Sequence, residues 1–497
     1  MNFFRSVCPG ERMKIFALVS CLSAIALAAP PPLPVSTAAE YPLTCSELAK
    51  PLVFKGWEAM VNSRVDQARD TLKLALVADP KCVMARASLG MVTPGREGYV
   101  LFDDAFKSLA NLSDVERLDL RAMQATRNGE LRKAFNLTQE LAELAPDVLM
   151  VNLQLANNAL ELGEWDAAAA AAIQATKLSP FNGAGWNLLG YARLQAHRTA
   201  EAIDAFRMYV QVAPDEPNAH DSLGDALLFD NQLESASASY QRAIDGSAGK
   251  FWIAWSGIAT VEALQGDWVS ARAALDGEKA AAIEPLDKLR ADAMTAWTWA
   301  AQGRLDEALK VVQAAQREAI EGKVDAATAR TTLLKAQLQL ASGKYADAVK
   351  TFKSADGVLI NQLSTGKRKK FKGEVLSGLT VAEARAGKLT DAARSLARLE
   401  DFAKANLSGP SATDTLNYAR GVLALKRGEA AAAVDSLEKC SAPASFCHAA
   451  HAEAQEAAGQ TAAAGQTREQ LRKANQRDPE YWFVRARLEV RMRESSM

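Results

Sequence analysis

The sequence predicts an all-α solenoid of stacked helical hairpins. Three features predict it: an echo at about 34 residues, alanines at a fixed distance after turn glycines, and prolines that close the units. Trp186, Leu189, Gly190, Ala202, Phe206 and Pro214 form the clearest unit, and Leu223, Gly224, Ala236, Tyr240 and Ala243 repeat it at matching offsets. Gly190 and Ala202 suit a close crossing of two helices, whereas Trp186, Leu189 and Phe206 supply side chains to bury. Pro214 closes the unit, because proline cannot continue a helix and restrains the residue before it. Each hairpin exposes apolar flanks that only a neighbouring hairpin can cover.

The pattern runs along the chain. Gly56, Ala68, Leu72, Ala75 and Pro80 make one unit; Ala122, Ala134, Leu141 and Pro146 another; Ala156, Ala168, Ala175 and Pro180 a third. After the two units already named come Trp255, Ile258, Ala259, Gly266, Ala271 and Leu275. The second half is more degenerate. There Gly303, Gly343, Gly387, Gly428 and Gly459 are followed five residues later by Ala308, Ala348, Ala392, Ala433 and Ala464, with Phe352 and Ala355 joining Ala348. Two stretches, Met91 to Leu112 and Asp356 to Lys372, break the register and are expected as insertions.

These residues resemble the tetratricopeptide repeat family, whose pattern is a bulky or aromatic residue, Leu-Gly, Ala, an aromatic, Ala and Pro. The resemblance covers nearly all of the chain after residue 45, in roughly 11 or 12 units. It implies a right-handed superhelical solenoid. The expected organisation is a signal peptide over residues 1–28, a lead-in over 29–48, repeats over 49–285, and more degenerate repeats over 286–497 continuous with them.

Composition agrees. A solenoid grows by adding units, so 497 residues measure repeat number and need only one elongated domain. A hydrophobic fraction of 49% supplies a continuous core, and a net charge of −1 gives no global pull toward nucleic acid or an anionic membrane.

At the N-terminus, Arg12 and Lys14 precede an apolar run from Ile15 to Ala29, followed by Pro30, Pro31 and Pro32. This pattern reads as a secretory signal peptide, with Ala26 and Ala28 suiting cleavage after Ala28 and a cut after Ala39 as the alternative. The run is shorter than the ~20 apolar residues a membrane span needs. Met13 is an alternative start. Leu18, Val19, Ser20 and Cys21 resemble a lipoprotein box, but the apolar body continues past Cys21, which favours ordinary cleavage.

Cys8 and Cys21 fall in the signal, leaving Cys45, Cys82, Cys440 and Cys447. Cys440 and Cys447 flank a turn short enough to bring them within disulfide reach, and Cys45 then pairs with Cys82 by elimination. A zinc site at Cys440, Cys447, His448 and His451 is the competing reading; neither cysteine belongs to a Cys-x-x-Cys pair, and an oxidising compartment favours the bridge.

No enzymatic motif is present. Neither His197 nor His220 has a nucleophile motif nearby, and no Gly-x-Ser-x-Gly elbow or phosphate-cradling glycine loop can be read. The expectation is a noncatalytic chain without cofactor or metal. The basic run Lys367, Arg368, Lys369, Lys370 and Lys372 around Phe371 reads as a solvated helix start or insertion, since nucleic acid would want more stacking aromatics.

Function is therefore expected on a surface. The resemblance implies that the first helix of each hairpin lines a concave groove for peptides or partner helices, which places Asn157 and Leu160, then Asn187, Tyr191 and Leu194, then Asp221, Asp225 and Phe229 toward a partner. Asn187 and Tyr191, four apart, share a helical face, as do Asp221 and Asp225. The latter pair could receive Lys or Arg, although a carboxylate early in a helix is also favoured by the helix dipole alone. Glu161 and Asp225 stand where the family's terminal-carboxylate clamp would need Lys or Asn, so that clamp is not expected. The leading expectation is an exported, periplasmic or secreted scaffold for a protein or peptide partner. A small-ligand or glycan receptor and an accessory subunit of an envelope enzyme are the alternatives.

Overall fold

The helices pair in sequence order because the turn between the two helices of each hairpin contains a residue in the left-handed backbone region, which reverses the chain. In the computed structural model, which describes residues 38–357, 363–441 and 444–495, the first six hairpins are α1 (Lys50–Val61) with α2 (Val65–Ala78), α3 (Val83–Val92) with α4 (Gly95–Phe106), α5 (Asp114–Arg127) with α6 (Leu131–Leu144), α7 (Leu149–Leu162) with α8 (Trp165–Leu178), α9 (Gly183–Gln195) with α10 (Thr199–Val212), and α11 (Pro217–Phe229) with α12 (Leu233–Gly246). The next six are α13 (Trp252–Gln265) with α14 (Trp268–Ala281), α15 (Pro285–Ala301) with α16 (Leu305–Glu321), α17 (Asp325–Ala341) with α18 (Tyr345–Asp356), α19 (Thr365–Arg385) with α20 (Leu389–Asn406), α21 (Pro410–Arg427) with α22 (Ala430–Leu437), and α23 (Ser445–Ala457) with α24 (Thr461–Lys473). A last helix, α25 (Pro479–Ser495), follows. The expected signal peptide lies outside the described residues.

Every hairpin junction carries one residue with positive φ, from Ser63 through Gly163, His197, Asn231 and Gly266 to Gly459. Glycine is the usual solution, since a Cβ disfavours that conformation. His197 (φ 59°) and Asn231 (φ 60°) take the same role without it.

Inside each hairpin the helices approach closely where the first lacks a Cβ. A Cβ at Gly190 would fall 2.4 Å from Phe206 Cε1, and one at Gly224 would fall 2.5 Å from Tyr240 Cε1. The aromatic ring therefore occupies the volume that the glycine leaves open. Phe206 and Tyr240 are both fully buried.

The first expected insertion, Met91 to Leu112, is a hairpin of the stack. Residues 91–112 hold the end of α3 and all of α4, and the register shifts because this hairpin closes by backbone contact: a Cβ at Gly98 would fall 2.0 Å from Thr93 O. Asp356 ends α18 and Lys372 lies in α19, while residues 358–362 are outside the described set. The second-half spacing drifts because its helices lengthen, from 14 residues in α7 to 17 in α15 and 21 in α19. The basic run forms the first turns of α19, capped by Ser364; Phe371 is buried and Lys372 pairs with Asp356.

Two disulfides are present. Cys45 joins Cys82, with α-carbons 4.8 Å apart, and Cys440 joins Cys447, with α-carbons 6.4 Å apart. The first fastens the lead-in segment, which also hydrogen-bonds at 2.7 Å from Ala39 N to Asp147 O and sends Tyr41 Oη to Asp119 Oδ2 at 2.6 Å.

Hairpins remote in sequence also touch. Tyr209 Oη donates to Asn62 Oδ1 at 2.6 Å, Arg69 pairs with Glu284 at 3.2 Å, and Ser408 Oγ donates to Gly129 O at 3.2 Å.

Gly190→Val is expected to lower the unfolding free energy by about 1–3 kcal/mol in urea titration, because the Phe206 ring cannot move aside. Gly465→Ala is expected to raise it by about 0.5–1 kcal/mol, since Gly465 sits mid-helix in open space. Burial pushes Asp119 up to about 6, against the hydrogen bond from Tyr41. A carboxylate raised in the folded state favours folding below its unfolded range and loses that contribution as pH rises through its folded value. Stability is thus expected to fall by about 2–3 kcal/mol between pH 4 and pH 7 from this group, and Asp119→Asn should flatten that slope.

Candidate functional site

The sequence places Asn187 and Tyr191 on one face of α9, and Asp221, Ser222 and Asp225 on the facing side of α11. These first helices stand side by side with α7 and α13. The Ser222 hydroxyl donates to Asn187 Oδ1 at 3.1 Å, and the Tyr191 hydroxyl reaches Asp225 Oδ2 at 3.0 Å and Ser222 Oγ at 3.3 Å. From α12, the Tyr240 hydroxyl donates to Asp225 Oδ1 at 2.8 Å. Tyr191 is oriented by an edge-on contact with Phe206, ring centres 5.0 Å apart. Burial pushes the hydroxyls of Tyr191 and Tyr240 well above their ordinary range, reinforced by the Asp225 charge, so both remain donors at neutral pH.

Asp221 and Asp225 are held by this chain's own Arg477. Its Nη1 donates to Asp221 Oδ1 at 3.1 Å, Asp221 Oδ2 at 3.2 Å and Asp225 Oδ1 at 2.9 Å. Its Nε and Nη2 reach Ser256 Oγ at 3.1 and 2.9 Å, and Nη2 also donates to Ile253 O. Burial opposes the guanidinium charge, but Asp221 and Asp225 outweigh it and hold Arg477 protonated well above its usual range. Burial likewise pushes Asp221 up to about 6, against the pull of Arg477. Beside them, Arg290 donates to Ser256 Oγ at 3.0 Å and pairs with Glu278, which burial pushes up to about 7.

Arg477 sits in the short connection between α24 and α25, and α25 lies against α13, α15 and α23. Tyr481, Trp482, Phe483 and Val484 are buried there. Trp297, Phe446 and Phe483 form an aromatic cluster with centroid separations of 5.6 to 6.0 Å. Asn475 Nδ2 donates to the turn residue Asn231 at 2.8 Å.

The sequence reading missed Arg477, Ser256, Tyr240 and the Arg290–Glu278 pair. A signal for the first existed: Tyr481, Trp482 and Phe483 are three consecutive aromatics beyond the last repeat unit, and on a helix three such neighbours cannot all face water.

The remaining candidates lie apart from this network. Asn157 is exposed on α7, and Phe229 is half-buried beside His197, ring centres 6.3 Å apart. His220 Nε2 pairs with Pro214 O at 2.9 Å and His448 Nε2 with Ser441 O at 2.8 Å, while burial lowers His451. Among the described residues no group of three or more His, Cys, Asp and Glu is arranged to hold a metal. A cleft of about 560 Å³ between α6 and the turn before α21, lined by Arg132, Lys133, Glu140 and Lys404, lies away from the network.

Arg477→Ala strands two carboxylates in a buried setting and is expected to cost about 3–5 kcal/mol in urea unfolding. Adding Asp221→Asn and Asp225→Asn to that variant should recover most of the loss, because the buried charges disappear with their partner.

A family model for the tetratricopeptide repeat matches residues 153–217 and 222–285. No curated protein matches the chain. Similar solved structures include a tetratricopeptide repeat protein from Parabacteroides merdae ATCC 43184, 13% identical, covering 67% of this chain and 100% of that one at a TM-score of 0.33. They also include the Cut9–Hcn1 hetero-tetramer of APC/C, 13% identical, covering 84% and 75% at 0.39, and the type IV pilus biogenesis factor PilW, 18% identical, covering 41% and 94% at 0.34. The family model falls on α7 to α14, the hairpins built on the Gly190–Phe206 and Gly224–Tyr240 crossings, and over residues 153–217 and 222–285 the hairpins of this all-α stack are tetratricopeptide repeats.

Proposed function

We propose that this chain is an exported, noncatalytic scaffold that binds a protein partner through the inner face formed by its first helices. The observation that carries the reading is the polar network of Asn187, Tyr191, Ser222, Asp221 and Asp225: side chains from two successive first helices, prealigned and already gripping an arginine, this chain's own Arg477. Prealignment leaves most of the ordering cost with the partner.

Export is supported by the apolar run from Ile15 to Ala29 and by the Cys45–Cys82 and Cys440–Cys447 bridges, which persist in oxidising compartments. Among the described residues no helix is long and apolar enough to cross a membrane. Repeats over residues 49–285 and 286–497 then act as one continuous surface, of which Asn157 and Phe229 are the outlying positions.

A photo-crosslinking amino acid at Asn157, with a control at Leu74 on the exposed side of α2, tests this in cells. One protein captured from the envelope fraction at position 157 and not at 74 is the expected outcome. Equal capture at both positions, or recovery of the chain in the cytoplasm with reduced cysteines, would sink the proposal.

A further inference from the structure

The geometry points to a resident ligand: we propose that residues 474–490 are an autoinhibitory strap seated on the inner face, displaced by a partner segment that presents an arginine a few residues ahead of an aromatic cluster. This rests on the reading of the inner face as the partner-binding surface and names what that surface accepts.

The argument starts from what Arg477 satisfies. Five of its donor contacts end on Asp221, Asp225 and Ser256, all carried by first helices of the repeats and more than 220 residues away in the chain. Among the described residues Asp221 and Asp225 form ion pairs with Arg477 alone; Arg290, paired with Glu278 and hydrogen-bonded to Ser256, adds only a through-space pull on Asp221. The acidic pair therefore selects a guanidinium, whose planar fork can reach both carboxylates and a hydroxyl together. Five residues on, Trp482 is buried in the core, and beside it Phe483 packs against Trp297 and Phe446. Arginine and aromatic anchors together define the motif.

The seat also carries penalties that vanish on release. Trp482 Nε1 is buried without a hydrogen-bond partner among the described residues, although water would supply one outside. Glu480 lies near Asp478 and near Glu374, whose own charge is paired with Arg330 at 2.9 Å. Burial pushes Asp478 up to about 6, and burial with the charges of Asp478 and Glu374 pushes Glu480 well above its ordinary range. Residues 474–478, the part of the strap next to α24, lie between the two helices and are not themselves helical. A segment held by specific anchors and opposed by an orphan donor and crowded carboxylates is suited to exchange.

The test uses the full-length chain with a protease recognition sequence inserted after Lys473, cut with both disulfides intact. A fluorescent peptide of residues 475–490 should bind the cut chain saturably, and the same peptide carrying Arg477→Ala should bind about 10-fold more weakly or worse. The uncut chain should resist the peptide, its face being filled. The proposal is overturned if the cut chain keeps its own segment against excess peptide, if it loses helical structure on cutting, or if the uncut chain binds equally well. Hydrogen exchange on the uncut chain gives a second measurement: α25 amides should exchange faster than those of α13, and equal protection would mark α25 as a permanent brace. No natural partner enters either experiment, so failure here is separable from failure of the crosslinking result.

Discussion

Everything in this molecule depends on how closely the two helices of a hairpin can cross. At Gly190 and Gly224 the first helix presents bare backbone, and the ring of Phe206 or Tyr240 lies directly on it. That contact sets the separation of the pair, and the separation sets which side chains of the first helix face inward. Tyr240 shows the coupling plainly, because the ring that fills the crossing at Gly224 also sends its hydroxyl to Asp225. Core packing and the polar network at Asp225 are here joined in one side chain.

Much of this was legible in the sequence because the crossing and the turn each demand a residue type at a fixed offset. Glycines 303, 343, 387, 428 and 459 announce junctions, and the structure gives each a positive φ. The hairpin of α3 and α4 was obscured because it uses Gly98 against the Thr93 carbonyl instead of glycine against a large side chain. His197 and Asn231 were opaque for a related reason: each fills a glycine position while carrying a side chain that invites a functional reading. Asn187, Tyr191, Asp221 and Asp225 could be placed on first helices from offsets alone. Their hydrogen-bond partners could not, because Arg477 reaches them from 252 and 256 residues away, and no periodic rule relates a tail to the middle of the stack.

The ionic cluster around Arg477 contributes discrimination more than net stability. Desolvating an arginine and two carboxylates costs nearly what their attraction returns, so an apolar replacement of equal volume would hold the chain about as well. What the charges add is intolerance: a lysine would lose the planar fork, and a neutral side chain would strand Asp221 and Asp225. The buried Trp482 and the ring contacts of Phe483 supply the complementary half, generous in buried area and lenient in detail.

A stack of repeats is normally modular, since each unit touches only its neighbours and units can be gained or lost with little consequence. The contacts of Asn62 with Tyr209, Gly129 with Ser408 and Asn231 with Asn475 remove that freedom. Each one requires a set number of hairpins between its partners, and their spans overlap in turn from residue 62 to residue 475, so deleting or duplicating a unit anywhere in that range would misalign at least one of them. The molecule has exchanged the evolvable grammar of a repeat array for the fixed stoichiometry of a globular domain, in which the number of units is itself part of the fold.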